Sequence, residues 1–262
     1  MTRWMTTDER AFFETNGYAV IQGLYTRQET EEMKQELDKI WLDRIVAGSI
    51  VQQPKRPLDS LFPPLRDVHL TSEHLLGVMT DPRQFDLVEQ IIGEEALAIG
   101  TGCFFKPPGA AALPFHQDNY DIGVYPGTTC AVWISLDDTD PDNGGLRFVP
   151  GTQHLGLLPP KIPGHASVYG QAVPVPRGYE VAHVRTRQGD AVVFGGNILH
   201  GSNPNVTKYR FRRAFVTHFA GVGTEKIMVH HLDLRNRHGE LMQRRMNRYH
   251  KLQFIDEYQR RK

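Results

Sequence analysis

Cysteine is nearly absent from this chain of 262 residues, which carries only Cys103 and Cys130. Both fall in strand-like apolar stretches, so a disulfide framework is excluded and two small buried hydrophobes are expected. Long hydrophobic runs are missing as well. Nothing approaches the length of a membrane span, and the N-terminus Met1-Thr2-Arg3-Trp4-Met5 lacks the apolar core of a signal peptide, so a cytoplasmic protein without a membrane partner is expected. Nor is there an excess of charge. The 30 Lys and Arg residues balance the 30 Asp and Glu residues, which argues against nucleic acid or an anionic surface as partner. A small-molecule substrate and a monomer or homodimer fit this balance. What remains is a chain long enough to bury a full core as one domain, residues 1–262.

The first 95 residues read as a helical support around one short strand. Thr6-Thr7-Asp8-Glu9 and Thr26-Arg27-Gln28-Glu29 each fit a capping box, which pairs two free backbone donors with two side chains at a helix start. After the second box, Met33, Leu37, Ile40, Trp41 and Ile45 recur at helical spacing and predict one apolar stripe packed against a sheet. Leu75, Leu76, Phe85, Leu87, Val88, Ile91 and Ile92 predict further helices, broken at Asp81-Pro82. From Ala96 to Ala220 the pattern becomes short strands punctuated by Gly and Pro. The expected fold is mainly β with flanking helices around a double-stranded β-helix, a jelly-roll or cupin-like core. The basic stretch 221–262 is expected to form a C-terminal helical tail. Two long segments, from Gln53 through Pro64 and from Leu158 to Val184, are expected to act as lids; Lys161, His165, Tyr169, Arg177 and Tyr179 in the second are candidates for a polar or anionic substrate.

One constellation carries chemistry. His116-Gln117-Asp118 is followed far downstream by His200 and then by Arg212. Two imidazoles and one carboxylate form the facial set that holds non-haem Fe(II) while leaving positions open. In a strand, residues two apart share a face, so His116 and Asp118 would grip one ion with Gln117 turned away. The far carboxylate of 2-oxoglutarate would then suit an arginine, whose planar guanidinium grips a carboxylate with two parallel hydrogen bonds. His-x-Asp by itself is weak, since chance supplies about one such triplet in a chain of this composition. A second one, His231-Leu232-Asp233, lies in an Arg- and His-rich stretch without a buried strand pattern and is read as a decoy. His200 is better supported, because Gly189-Asp190-Ala191-Val192-Val193-Phe194 before it reads as a turn and a buried strand. His165, His183, His218 and His230 have no ligand-like spacing and are read as surface or structural residues.

Several longer motifs occur in a fixed order: Phe104-Phe105-Lys106-Pro107-Pro108-Gly109, then His116-Gln117-Asp118, the strand from Val132 to Asp138, the run Asn143-Gly144-Gly145-Leu146 through His154, and His200-Gly201-Ser202. Together with the opening Phe12-Phe13-Glu14-Thr15-Asn16-Gly17-Tyr18, the chain resembles the phytanoyl-CoA dioxygenase family over most of residues 96–220. The resemblance implies a non-haem Fe(II)/2-oxoglutarate-dependent dioxygenase that consumes O2 and hydroxylates a small molecule with release of succinate and CO2. It implies His116, Asp118 and His200 as catalytic iron ligands, Arg212 as anchor for the C5 carboxylate, Ser202 beside it, and Trp133 lining the cofactor pocket. Strand parity leaves Arg210 or Arg212 on the inner face, and the shared Phe-Arg-x-Ala pattern favours Arg212. Halogenating relatives replace the carboxylate ligand with a small residue; its presence as Asp118 favours hydroxylation.

Softer expectations attach to neighbours of the motifs. Lys106 could reach the co-substrate or cap the turn at the two prolines, and the turn is favoured; His154 is read as ordering its loop, and Asn119, Tyr120 and Arg147 as near the metal. Two alternatives remain at this point: a cupin-type metal-dependent oxygenase or isomerase that does not use 2-oxoglutarate, and a silent binding protein that kept the triad.

Overall fold

The computed structural model describes residues 4–160 and 172–248. Helix α1 (Thr7–Asn16) leads into β1 (Tyr18–Ile21), α2 (Arg27–Val46), α3 (Pro57–Leu61), β2 (Leu65–Arg66), α4 (Glu73–Met79) and α5 (Pro82–Ile92). Next come β3 (Ala96–Lys106), β4 (Leu113–His116), α6 (Asp118–Ile122), β5 (Cys130–Ser135), β6 (Leu146–Val149), β7 (Ala182–His183), β8 (Ala191–Gly195), β9 (Leu199–Ser202) and β10 (Arg212–Gly221). Four short strands follow, β11 (Lys226–Ile227), β12 (Asp233–Arg235), β13 (Leu241–Gln243) and β14 (Arg245–Met246).

Both capping boxes form, with Thr6 and Glu9 closing the start of α1 and Thr26 and Glu29 that of α2. Each cap is worth about 1 kcal/mol. Asp81 caps α5, whose first turn holds Pro82, where a missing N–H costs nothing. The α2 stripe behaves as its spacing predicts: Met33 and Leu37 are fully buried, and Ile40, Trp41 and Ile45 pack against the same cluster.

Two antiparallel sheets form the jelly roll. The larger runs β1-β8-β5-β10-β3-β12-β13, with β2 added beside β3; the smaller runs β4-β9-β6-β7. Strand alternation separates the faces of the larger sheet. Val132, Ile134, Val193 and Phe215 pack outward against the helices, whereas Ala131, Trp133, Val192, Ala214 and Val216 pack inward against Leu146 and Phe148 of the smaller sheet. The inner layer is where the site lies. Cys103 and Cys130 are free and buried, as expected, and burial pushes the Cys130 thiol up to about 12.

Three boundaries differ from the sequence reading. β1 lies in the N-terminal segment yet pairs with β8, because a four-residue strand can fill an exposed edge wherever it falls in sequence. The described part of the C-terminal segment forms β11 to β14 in place of a helix, with β12 pairing onto β3; residues 249–262 lie outside the described residues. His116 ends β4, but Asp118 opens α6, so the pair straddles a strand-to-helix junction. No helix among the described residues is long and apolar enough to cross a membrane.

Candidate active site

The β4–β9 ladder opposes His116 to His200, and β6 adds Phe148 on the other side of His200. Gln117 keeps extended backbone (φ −127°, ψ 124°) before α6, so Asp118 still swings to the side on which His116 lies. Gln117 itself is fully buried on the opposite side. Its amide donates to the carbonyls of Gly156 (2.8 Å) and Asn197 (2.6 Å), and its Oε1 accepts from the Leu158 N–H (2.6 Å). Those bonds fix the turn that aims the carboxylate.

One donor atom each from His116, Asp118 and His200 lies within 4.8 Å of the others. Asp118 Oδ1 is 3.6 Å from Nε2 of His116 and 3.6 Å from Nε2 of His200. Both imidazoles are oriented the same way. Nδ1 of His116 donates to the Pro114 carbonyl (2.9 Å) and Nδ1 of His200 to that of Ile198 (3.2 Å). A carbonyl only accepts, so Nδ1 carries the proton and Nε2 presents its lone pair toward Asp118. Burial, reinforced by His116, pushes the His200 imidazole down to about 4 and keeps it neutral. Burial alone would raise the Asp118 carboxyl, but the adjacent imidazoles of His200, His218 and His116 prevail and hold it well below the usual carboxylate range. Two imidazole nitrogens and one carboxylate oxygen converging in this way fit Fe(II).

Arg212 opens β10 with its side chain buried on the inner face. Its Nε donates to the Gly144 carbonyl (3.2 Å) and its guanidinium lies 5.7 Å from the centre of the Trp133 ring. Ser202 is buried two residues beyond His200 on the same face of β9. Arg210, the parity alternative, is exposed and pairs with Asp140 at 2.6 Å.

Two residues enter the site that the sequence reading placed elsewhere. Lys106 does not cap the proline turn. Its Nζ donates to Ser202 Oγ (2.8 Å) and to the Asn203 carbonyl, inside the barrel. Burial, then Arg212 and Arg147, push it down to about 6. His218, read as a surface or structural residue, has a specific partner: its Nε2 lies 3.2 Å from Asp118 Oδ2. The signal was strand parity, since Arg212 and His218 are an even number of residues apart on β10 and so share its inner face.

The remaining candidates make other contacts. Arg147 alternates with the inward Leu146 and Phe148, so it points out of the barrel, 4.3 Å over the ring of Phe115. Asn119 is buried and accepts from the Val124 N–H, shaping the turn after α6. Tyr120 is half-buried on α6. His154 is exposed and meets the Gln153 side chain (3.1 Å), and His183 meets Asn203 (3.0 Å). Tyr179 packs on the outer face of the smaller sheet and Arg177 is exposed; Lys161, His165 and Tyr169 lie outside the described residues.

The family model "Phytanoyl-CoA dioxygenase (PhyH)" matches residues 13–214. The chain belongs to the phytanoyl-CoA dioxygenase family. It is 27% identical over 233 residues to the peroxisomal phytanoyl-CoA dioxygenase of Mus musculus, covering 82% of this chain and 68% of that one. It is 25% identical over 224 residues to the ectoine dioxygenase of Streptomyces coelicolor, covering 78% and 74%. Among solved structures, iron-bound EctD from S. alaskensis superposes with a TM-score of 0.67 at 19% identity, covering 86% of this chain and 81% of that one. The epimerase SnoN in complex with Fe3+, alpha ketoglutarate and nogalamycin RO gives 0.66 at 19%, covering 83% and 84%. The jelly-roll expectation therefore holds. As a member of the phytanoyl-CoA dioxygenase family the protein is an Fe(II)/2-oxoglutarate-dependent dioxygenase, which sets aside the cupin-type enzyme without 2-oxoglutarate.

Proposed function

We propose that His116, Asp118 and His200 hold the iron, that Arg212, Ser202 and Lys106 seat the C5 carboxylate of 2-oxoglutarate, and that the reaction hydroxylates a small-molecule substrate. The observation that carries this reading is the convergence of three ligating atoms, two of them on imidazoles whose Nδ1–H groups are fixed by backbone carbonyls. When bound, iron with 2-oxoglutarate and O2 supplies an oxidative decarboxylation to succinate and CO2 coupled to hydroxylation.

The chain's own residues do the positioning. Arg212 brings positive charge, and Lys106 and Ser202 bring hydrogen-bond donors, to one buried end of the barrel interior, where a carboxylate gains charge-assisted hydrogen bonds in a low-dielectric setting. Trp133 walls that end and fills the space beside the guanidinium. Phe148 and Phe194, whose ring centres lie 5.8 Å and 4.6 Å from that of His200, keep water from the histidine's flank. Asp118 occupies the position whose loss would open the metal to a halide, and its presence supports hydroxylation over halogenation.

The test is an anaerobic titration of metal-free protein with Fe(II) and 2-oxoglutarate, following the visible charge-transfer band of the chelated keto acid. Wild type should give a saturable band that Arg212→Ala shifts to higher 2-oxoglutarate and Asp118→Ala abolishes. Confirmed Fe(II) binding without the band would contradict the assignment, and no Fe(II) binding at all would leave a silent binding protein.

A further inference from the structure

We infer that His218 is a positioning residue that restricts Asp118 to one metal-ligating oxygen, and so keeps a coordination position open for the reaction. The inference rests on the ligand assignment above and adds to it. The two oxygens of the Asp118 carboxylate face different partners. Oδ1 looks toward both histidine Nε2 atoms at 3.6 Å, while Oδ2 is held by His218 Nε2 at 3.2 Å. A carboxylate can ligate with either one oxygen or both. Were both used here, the protein would occupy a fourth position of an octahedral ion. The keto acid needs a pair of positions and O2 a further one, so a chelating aspartate would compete with a reactant.

His218 is placed for this duty and for no other at the metal. Among the described residues the convergent donor set is His116, Asp118 and His200, without His218. The ring comes from the central strand of the larger sheet, which stands across the barrel from β4 and β9. His218 pairs with Ala131 on β5 and Gly100 on β3, and the β10–β3 register shifts between His218 and Phe219. Ile99 is the extra residue there, so the bulge bends β3 directly beside His218. A Cβ at Gly100 would come within 2.8 Å of the Asp67 carboxylate, so the glycine leaves room for Asp67 beside this part of β3. The ring is only partly exposed, at 21% of its side-chain surface, so its N–H on Asp118 is shielded from competing water.

The experiment measures Fe(II) binding by anaerobic chelator competition and 2-oxoglutarate binding by the charge-transfer band, on metal-free wild type and three variants. His218→Phe keeps the ring volume and removes the donor. His218→Asn keeps polarity but its amide stops short of Asp118. His218→Gln places an amide N–H where Nε2 was. Phe and Asn free Oδ2 to ligate, so they are expected to keep Fe(II) binding at or above the wild-type level while raising half-saturating 2-oxoglutarate severalfold at saturating iron. Gln should restore most of the 2-oxoglutarate affinity, with the melting temperatures of the metal-free Gln and Asn forms alike. If the Phe form does not fold, the Asn and Gln forms decide alone. Wild-type 2-oxoglutarate affinity in the Asn form, or equal loss of it in Asn and Gln, overturns the inference. Failure of wild type itself to bind Fe(II) would instead overturn the ligand assignment.

Discussion

Lys106 and Arg212 are directly opposed in the β10–β3 ladder, so two basic side chains rise from the same face of one sheet, both buried. Like charges opposed in this way are destabilising. Burial and the neighbouring Arg212 charge together push Lys106 down to about 6, which relieves the clash in the empty protein.

A pH dependence follows from this pair. The Lys106 pKa falls from 10.5 to about 6, through burial first and then Arg212 and Arg147. Between those values the unfolded chain binds the proton that the folded, empty protein lacks, so this residue makes stability rise with pH across the window, by up to about 1.4 kcal/mol per unit. Lys106→Met removes the effect. The empty variant should melt above wild type near pH 6 to 7, with the gap narrowing toward pH 10, while its 2-oxoglutarate affinity falls. A gap independent of pH in thermal melts would show that Lys106 is not the source.

Arg212→Lys tests geometry apart from charge. An ammonium keeps the positive charge but loses the planar pair of donors and the contact with Trp133. Half-saturating 2-oxoglutarate should rise by about 10- to 100-fold, the loss of one charge-assisted hydrogen bond of about 1.5–3 kcal/mol. Fe(II) affinity measured without the keto acid should stay at the wild-type value; a parallel loss of iron would mean that Arg212 shapes the metal site itself.

Gln117→Leu addresses the junction between β4 and α6. The substitution leaves the Gly156 and Asn197 carbonyls and the Leu158 N–H without their bonds. The expected cost is about 2–4 kcal/mol, from a buried network left partly unpaired. A thermal or urea melt of the metal-free variant checks this, and Fe(II) affinity should fall with it because the same bonds aim Asp118.

Metal should stabilise the folded chain in proportion to its occupancy. At free Fe(II) about 100-fold above its dissociation constant the gain is about 2.7 kcal/mol, or a Tm rise of roughly 5–10 °C for a chain of this size. Chelation should return the Tm to its metal-free value, and Asp118→Ala should show neither change. An equal rise in that variant would place the binding elsewhere.

Much of this site was legible before any coordinates. The spacing of His116 and Asp118, the turn-and-strand before His200 and the even parity of β10 are local properties, and local properties are written in sequence. Asp118 was displaced only in its label, from strand to helix start, because one extended residue, Gln117, is enough to give both side chains a common direction. Lys106 was read too locally. Its prolines suggest a turn, whereas the side chain reaches from the larger sheet to Ser202 of the smaller, 96 residues away. His218 was passed over for the same reason: its partner lies 100 residues distant, and spacing rules see only neighbours.

The sequence by itself therefore determined the helix caps, the inner and outer faces of the strands, and the residue types able to hold iron and a dicarboxylate. Each follows from backbone periodicity and the chemistry of single side chains. The tertiary structure alone decided that β1 closes the edge of the larger sheet beside β8, that Arg147 points out of the barrel while Lys106 points in, and that the second oxygen of Asp118 is taken by His218. Those outcomes depend on which strands pair and in what register, and register is set by packing two sheets face to face.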